Sequence, residues 1–449
     1  MNGRTRALAI SMAVLMTIPA ISGCQSNTTK GSKSTISVAY QISGTSDPFG
    51  TWLKTVIKQY NATNPNVTVK PAPITADENT FYTKVDLEMK SAKTCPDIVT
   101  EDTFLINSDA AGGYLDDMTS KVNAWSDWGN FIKNIKQGVT GSDSKVYGVP
   151  YSTDSRGMWY NKTIFAKAGL PTEWSPKSWD DILAACKAIK ANCPGVVPFW
   201  APVSKAEGEA TSMQCYEMLL YGTGERLLDS SNKYVISSPG ITASLNFINT
   251  IFKSGYGPGM SDVINGQGSN TASTTFLNKG KLGIYLMGNW ITSNYISTGA
   301  SPWADYTKDL GFAAMPTQNG QDPGTVTLAG GWALSIPKRA QNKDGAWDFI
   351  KCAMNKDNME AINLAQGNLT TRSDVATDSK YTSTPFNDVA SKFLETAQFR
   401  PTDTNYPKVS TAIQTMVESV ATGTATPTQA IATYGTDVKG IVGDKVVTK

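Results

Sequence analysis

Histidine is absent from the entire chain. With it go Ser-His-Asp and Cys-His catalysis, zinc sites built on imidazole, and histidine pH switches. Carboxylate chemistry survives that exclusion. Net charge is also missing. Arg4 and Arg6 fall in the leader described below, and the remaining 38 basic side chains balance 38 acidic ones. A neutral body of this kind does not steer toward nucleic acid or an anionic surface. No long apolar run follows Ala20, so the body is neither a channel nor a membrane permease. Cysteine is scarce, at six residues, and none are spaced as a metal-type CxxC pair. No metal or cofactor is expected.

What the chain does have begins at its N-terminus. Arg4 and Arg6 precede an apolar run, Ala7–Ala20, and the tetrapeptide Ile21-Ser22-Gly23-Cys24. A charged start, an apolar segment of about fourteen residues and small residues before a cleavage point describe a bacterial export signal. The cysteine makes it a lipoprotein signal. A membrane helix needs roughly 20 apolar residues, which are not there. Cleavage before Cys24 and acylation of its thiol would leave a soluble protein anchored to the outer face of the cell membrane, given at least two lipid chains. Residues 24–34, rich in Ser, Thr, Asn, Lys and Gly, read as a flexible tether. The 426 residues after the signal of residues 1–23 exceed a usual single domain and suggest two lobes.

Five cysteines remain beyond Cys24, and an odd count leaves at least one thiol unpaired. Cys186 and Cys193 are nearest in sequence. They form a bridge only if the chain reverses around Ala191-Asn192; otherwise they are two buried free thiols.

Strand and helix patterns alternate along the chain. Ile36, Val38, Tyr40 and Ile42 repeat every second residue, as in a strand. A loop is expected at Ser43–Gly50, then a helix with Trp52, Val56 and Tyr60 on one face, ending before Asn64-Pro65. Val67–Val69, Phe81–Ala92 and Asp97–Val99 follow as strand, helix and strand. This order predicts a parallel sheet whose ligand crevice lies at the carboxyl ends of its strands. The loops Ser43–Gly50 and Thr100–Asn107 then face one crevice. Ser178 is a natural N-cap for a helix carrying Ile182, Leu183, Cys186 and Ile189.

Several segments carry a family likeness. Val146-Tyr147-Gly148-Val149-Pro150-Tyr151 is followed by Gly157-Met158-Trp159-Tyr160-Asn161-Lys162 and Phe165–Pro171. Later come Gly283–Trp290, Gly330-Gly331-Trp332-Ala333-Leu334-Ser335-Ile336-Pro337 and Leu369-Thr370-Thr371-Arg372. Together, in this order, they resemble the extracellular solute-binding proteins, family 1 type, that feed carbohydrate ABC importers. The resemblance implies an α/β, two-lobed, periplasmic-binding-protein-like fold of type II. Each lobe would be a mixed, mainly parallel sheet flanked by helices. Crossovers are implied near Tyr151–Asp154, Asp309–Ala313 and Gly367–Thr371. Lobe 1 would comprise residues 35–152 and 311–368, and lobe 2 residues 153–310 and 369–449. It further implies a monomeric, non-catalytic protein that closes on an oligosaccharide and delivers it to membrane permease subunits.

Sugar recognition needs flat apolar faces for pyranose rings and planar polar groups for hydroxyls. Trp290, just after Gly288-Asn289, stands where the family stacks an aromatic on sugar; the alternative is a core tryptophan. Trp332 follows Gly330-Gly331, where missing side chains let a ligand approach the backbone. Trp347 reads as core, and Trp125, Trp128, Trp174 and Trp179 as packing. Glu101 and Asp102 end the third strand at the crevice edge, their alternative role being an N-cap. Asp47 and Phe49 lie on the first loop, where Asp47-Pro48 could equally serve a turn. Tyr151 and Asp154 lie at the hinge, and Arg400 in Phe399-Arg400-Pro401 could reach the cleft or make a surface ion pair. The ligand set implied is therefore Asp47, Phe49, Glu101, Asp102, Tyr151, Asp154, Asn289, Trp290, Gly331, Trp332 and Arg400.

Two rival classes share these features. An anchored glycoside hydrolase would need two carboxyl groups roughly 5–9.5 Å apart across a scissile bond. Against it, the pattern reads as two lobes and not as eight βα units. A solute-binding protein for a peptide, polyamine or metal is the other, and the missing histidine argues against metal capture.

Overall fold

The computed structural model describes residues 34–42, 44 and 46–449. Cys24, its leader and its tether lie outside the described residues. No described helix is long and apolar enough to cross a membrane.

The first five elements are β1 (Ser34–Ile42), α1 (Pro48–Thr63), β2 (Val67–Thr75), α2 (Glu78–Met89) and β3 (Ile98–Asp102). Helix α1 starts three residues earlier than the loop reading allowed. Asp47 accepts the Gly50 N–H at 2.7 Å and Pro48 supplies a preset φ at the first helical position. Both β2 and β3 run parallel to β1, so the carboxyl ends of β1 and β3 open on one side. The strand Trp332–Ser335 and the short β4 (Val149–Pro150) complete a five-stranded sheet.

A second, four-stranded sheet contains β5 (Arg156–Asn161), Val197–Trp200, Leu282–Gly288 and Leu310–Ala313. Two of its three pairings, β5 with Leu282–Gly288 and β5 with Leu310–Ala313, are antiparallel, so this sheet is not mainly parallel. Strands that leave the hinge and strands that return to it must run in opposite directions. The same constraint makes Trp332–Ser335 antiparallel to β3 and β4.

Sheet membership also moves the crossovers. The expected crossing at Asp309–Ala313 is corrected, because Leu310–Ala313 pairs with β5 and belongs to the second sheet. The chain crosses later, between Thr325–Leu328, which pairs with Ala397–Gln398, and Trp332 in the first sheet. Residues 311–328 therefore do not fall with lobe 1. At the third crossing, Thr153 and Leu369 exchange backbone hydrogen bonds of 2.9 Å. Val375 and Tyr381, which follow, pack into the core beneath the first sheet. Ile132 donates its N–H to the Thr371 carbonyl, and Arg372 pairs with Asp127 at 2.9 Å. The stretch from Thr370 to Tyr381 thus packs with lobe 1, not lobe 2.

The Cys186–Cys193 bridge is also corrected: both are free and buried. The helix Trp179–Asn192 begins with a Ser178/Asp181 capping box and runs regularly to Cys193 as its C-cap. Seven helical residues span about 10 Å, beyond the roughly 7 Å limit for a disulfide. Cys95, Cys215 and Cys352 are free as well. Burial pushes the Cys186 and Cys215 thiols well up. Alkylation without reductant should therefore label all five of these cysteines in the unfolded chain, but leave Cys186 and Cys215 unlabelled in the native one. Peptide mass spectrometry reads this, and a linked Cys186–Cys193 peptide would refute it.

Candidate functional site

Between the two sheets lies a cleft of about 390 Å³. From the first sheet's side it is lined by Phe49, Glu78, Thr100, Asp102, Tyr151 and Trp332. Asp154, Arg156 and Gly331 line it at the hinge, and Glu207, Glu209, Gln214, Trp290 and Arg400 from the opposite side. Trp290 and Trp332 are both half-buried.

Strand parity decides which residues of β3 face this space. Successive side chains of a strand point to opposite faces. Thr100 and Asp102 face the cleft, whereas Val99 enters the core with Phe81, Val85 and Met89. Glu101 shares that rear face. It is 2 % exposed and outside the cleft, so its expected ligand role is not where the structure puts it. Burial, and then Asp109, hold its carboxyl well above the ordinary range. Two further residues lie elsewhere. Asp47 caps α1 and accepts the Tyr40 hydroxyl at 3.1 Å. Asn289 is a hinge brace: its Oδ1 accepts the Ser155 N–H at 2.9 Å and its Nδ2 donates to the Gly367 carbonyl at 2.6 Å. The remaining eight, Phe49, Asp102, Tyr151, Asp154, Trp290, Gly331, Trp332 and Arg400, line the cleft.

At its floor, Arg400 reaches across from the second lobe. Its Nη2 lies 2.7 Å from Asp102 Oδ1 and its Nη1 3.0 Å from Glu209 Oε2. Its guanidinium also covers Phe104, with the carbon 4.5 Å from the ring centre. Burial works against this charge, but Asp102 and Glu209 outweigh it and keep the guanidinium protonated. The Tyr406 hydroxyl lies 3.1 Å from Glu209 and 2.5 Å from Glu217, with a single proton to share between them, and Ser410 donates to Glu209. Tyr82 donates to the second oxygen of Asp102 at 3.0 Å. At the hinge, Asp154 pairs with Arg156 and accepts the Gly330 N–H at 2.8 Å. Arg156 in turn lies 4.9 Å from the Trp290 ring centre, a cation–π contact that orients the indole.

Two glycines let the chain come this close. Gly331 has φ +140°, and a Cβ there would fall 2.0 Å from the Ser152 carbonyl. Gly208, with φ +57°, faces Asn79 on α2; a Cβ would stand 2.7 Å from its side-chain oxygen.

Tyr82, Glu78, Glu207, Glu209 and Gln214 were not singled out from the sequence. The signal that could have found two of them is the pair of acids flanking Gly208.

Two lobes hinged by crossing strands, around a cleft of aromatic, amide and charged groups, define a ligand-capturing clamp. Comparison with known proteins specifies the class. Residues 43–360 match the family model described as bacterial extracellular solute-binding protein, and the chain belongs to that family, whose members bind solutes and are not enzymes. It is 22% identical over 355 residues to a putative ABC transporter periplasmic-binding protein of Escherichia coli K12, covering 78% of this chain and 75% of that one. An ABC transporter solute-binding protein from Thermotoga lettingae, solved with α-D-tagatose, superposes with TM-score 0.78 at 26% identity, over 91% of this chain and all of that one. Maltose-bound MalE3 of T. maritima gives TM-score 0.77 at 23% identity, with the same coverage. The hydrolase alternative falls with this membership.

The floor of the cleft carries a pH signature. Glu217 is fully buried, and burial together with Glu209 raises its carboxyl from 4.5 to about 8. The folded state then holds a proton that the unfolded chain releases, so stability falls as pH rises from about 4.5 to about 8. Thermal unfolding at pH 5 and pH 8.5 should show a smaller drop for Glu217→Gln than for the parent. Equal drops would exclude Glu217 as a source.

Proposed function

We propose that this chain is a lipid-anchored, extracytoplasmic sugar-binding protein that encloses a short oligosaccharide between its lobes and hands it to an ABC import permease. The observation that carries the reading is the pair of half-buried tryptophans, Trp290 and Trp332, presented from opposite sheets into a cleft that also offers amide and carboxylate groups. Flat indole faces suit the CH faces of sugar rings, and planar polar groups suit hydroxyls. The sugars held by the similar Thermotoga proteins support it. So does a mannobiose-bound neighbour with TM-score 0.71. A cleft of about 390 Å³ lies at the small end for ligand sites, which favours a few rings.

In this reading Phe49, Asp102, Tyr151, Asp154, Trp290, Gly331, Trp332 and Arg400 contact the ligand, and closure is favoured only by contacts made with both lobes. Both cleft arginines are already paired with carboxylates, leaving a phosphorylated sugar without a cation to bind. The protein works as a monomer on the outer face of the membrane, held by acylated Cys24.

Calorimetric titration with an oligosaccharide panel tests capture. Trp290→Ala should weaken binding by about 2–4 kcal/mol, the scale of a hot-spot truncation. Trp125→Ala should not, since Trp125 packs remotely against Phe131 and Trp347. Equal affinity of Trp290→Ala and parent would remove Trp290 from the site.

Anchoring has its own test. Expressed in a bacterium, the parent should fractionate with membranes and yield an N-terminal peptide beginning at a diacylated Cys24. Cys24→Ala should not acquire lipid, and an unmodified Cys24 in the parent would refute the anchor.

A further inference from the structure

Gly288 ends the strand Leu282–Gly288, two residues before Trp290, with φ −77° and ψ 165°. Any residue adopts such extended backbone, so the chain's path does not demand glycine here. The space does. A Cβ at this position would stand 1.8 Å from Trp290 Cζ3 and 2.2 Å from each of the two ring atoms bonded to it, Cε3 and Cη2. An edge-on approach at that distance would leave the two flanking atoms much farther off. The bare Cα therefore lies under the flat face of the indole, and Trp290 is folded back onto the strand end that precedes it.

If a methyl group were added, either the backbone or the ring would have to move, and the surroundings decide which. The Gly288 carbonyl accepts the Trp159 indole N–H at 3.0 Å, and the Asn289 N–H donates to the Ser155 carbonyl at 3.0 Å. Asn289 Oδ1 accepts the Ser155 N–H in return at 2.9 Å. Trp159 and Ser155 are both fully buried, so the backbone at Gly288 is pinned from two sides. Arg156 stands opposite Gly288 in the antiparallel pairing, and its side chain shares that side of the sheet. Its buried guanidinium, held by Asp154 and by the Leu328 carbonyl at 3.2 Å, flanks the ring 4.9 Å from its centre. What is left to a displaced indole is the cleft, which the half-buried Trp290 already lines.

We infer that Gly288 is a positioning residue of the binding site: its missing side chain is the seat that fixes the Trp290 indole at the depth and angle at which it meets a sugar. The inference rests on the sugar-capture reading above and names what holds the stacking surface in place. A seated ring has little rotamer freedom left to lose when ligand arrives. A methyl group at position 288 would lever the indole into the volume the sugar occupies, with the chemistry of the ring unchanged.

Gly288→Ala tests this in protein labelled with 5-fluorotryptophan, whose fluorine is carried by Cζ3, the ring atom nearest the seat. The fluorine resonance lost in Trp290→Phe identifies Trp290. In Gly288→Ala that resonance should shift, while those of Trp52 and Trp347, in the core of the first lobe, stay in place. In calorimetry with maltose, mannobiose and cellobiose, Gly288→Ala should bind the tightest of the three about tenfold more weakly than the parent. Phenylalanine has no counterpart of Cζ3 and Cη2, so in a Trp290→Phe background the same change should cost less than about twofold. Should Gly288→Ala fail to fold, recovery of the fold in the double variant supports the seat, and failure of both overturns it. An unmoved Trp290 resonance would overturn the seat. A moved resonance with unchanged affinity, or an equal loss of affinity in the Trp290→Phe background, would overturn its role in binding. No sugar bound by the parent, with the resonance still shifted in Gly288→Ala, would overturn sugar capture and leave the seat standing.

Discussion

Arg400 is the buried tie between the two lobes. Its two carboxylate partners come from different lobes: Asp102 from the end of β3, and Glu209 from the turn that leads into the wide helix Ala210–Glu217. Taking three charges out of water is costly, and only well-placed hydrogen bonds offset it. Tyr82, Tyr406 and Ser410 supply them by filling the remaining carboxylate positions. The pairing also sets the electrostatics of the whole cleft. With Arg400 committed to its floor, nearby acids such as Glu78 and Glu217 gain little from it and are held by burial in their protonated forms.

A clamp must be stiff at its hinge and free at its jaws. Stiffness comes from local backbone pairing: Thr153 with Leu369, Asn289 braced to Ser155 and Gly367, and Thr153 Oγ1 donating to the Gly330 carbonyl at 2.9 Å. Cleft-lining residues such as Asp154, Gly331 and Trp332 sit within this network. Side chains that face the cleft are thereby mounted on the crossing backbone that joins the two lobes.

Much of the first lobe was legible because its signals are local. Period-two apolar residues in β1, the 52/56/60 stripe of α1 and the parallel β-α-β-α-β order need no knowledge of the rest of the chain. Glu101 and Asp102 show where this stops. Every residue of β3 is buried, because helices and the opposing lobe cover both faces, so no alternation marks which acid faces the cleft. Asp47 was read beside Phe49, but its carboxylate serves the helix that positions Phe49. Glu78, Glu207 and Glu209 stayed hidden for a different reason. They begin a helix or flank a turn, where acids are commonplace, and only tertiary closure brings them to one space. The second crossing was misplaced because Leu310–Ala313 carries no mark of which sheet it joins.

The rim of the cleft is built differently from its floor. There the exposed Asn79 side chain, near the start of α2, meets the bare Cα of Gly208, which follows the Lys205–Glu207 turn at φ +57°. A larger residue at this position would meet only the far end of a flexible amide that can swing aside, so its lasting cost is the left-handed backbone and not the crowding. Contact between the two sides is therefore compliant at the lip, where one side chain can turn, and fixed at the floor, where buried ion pairs cannot.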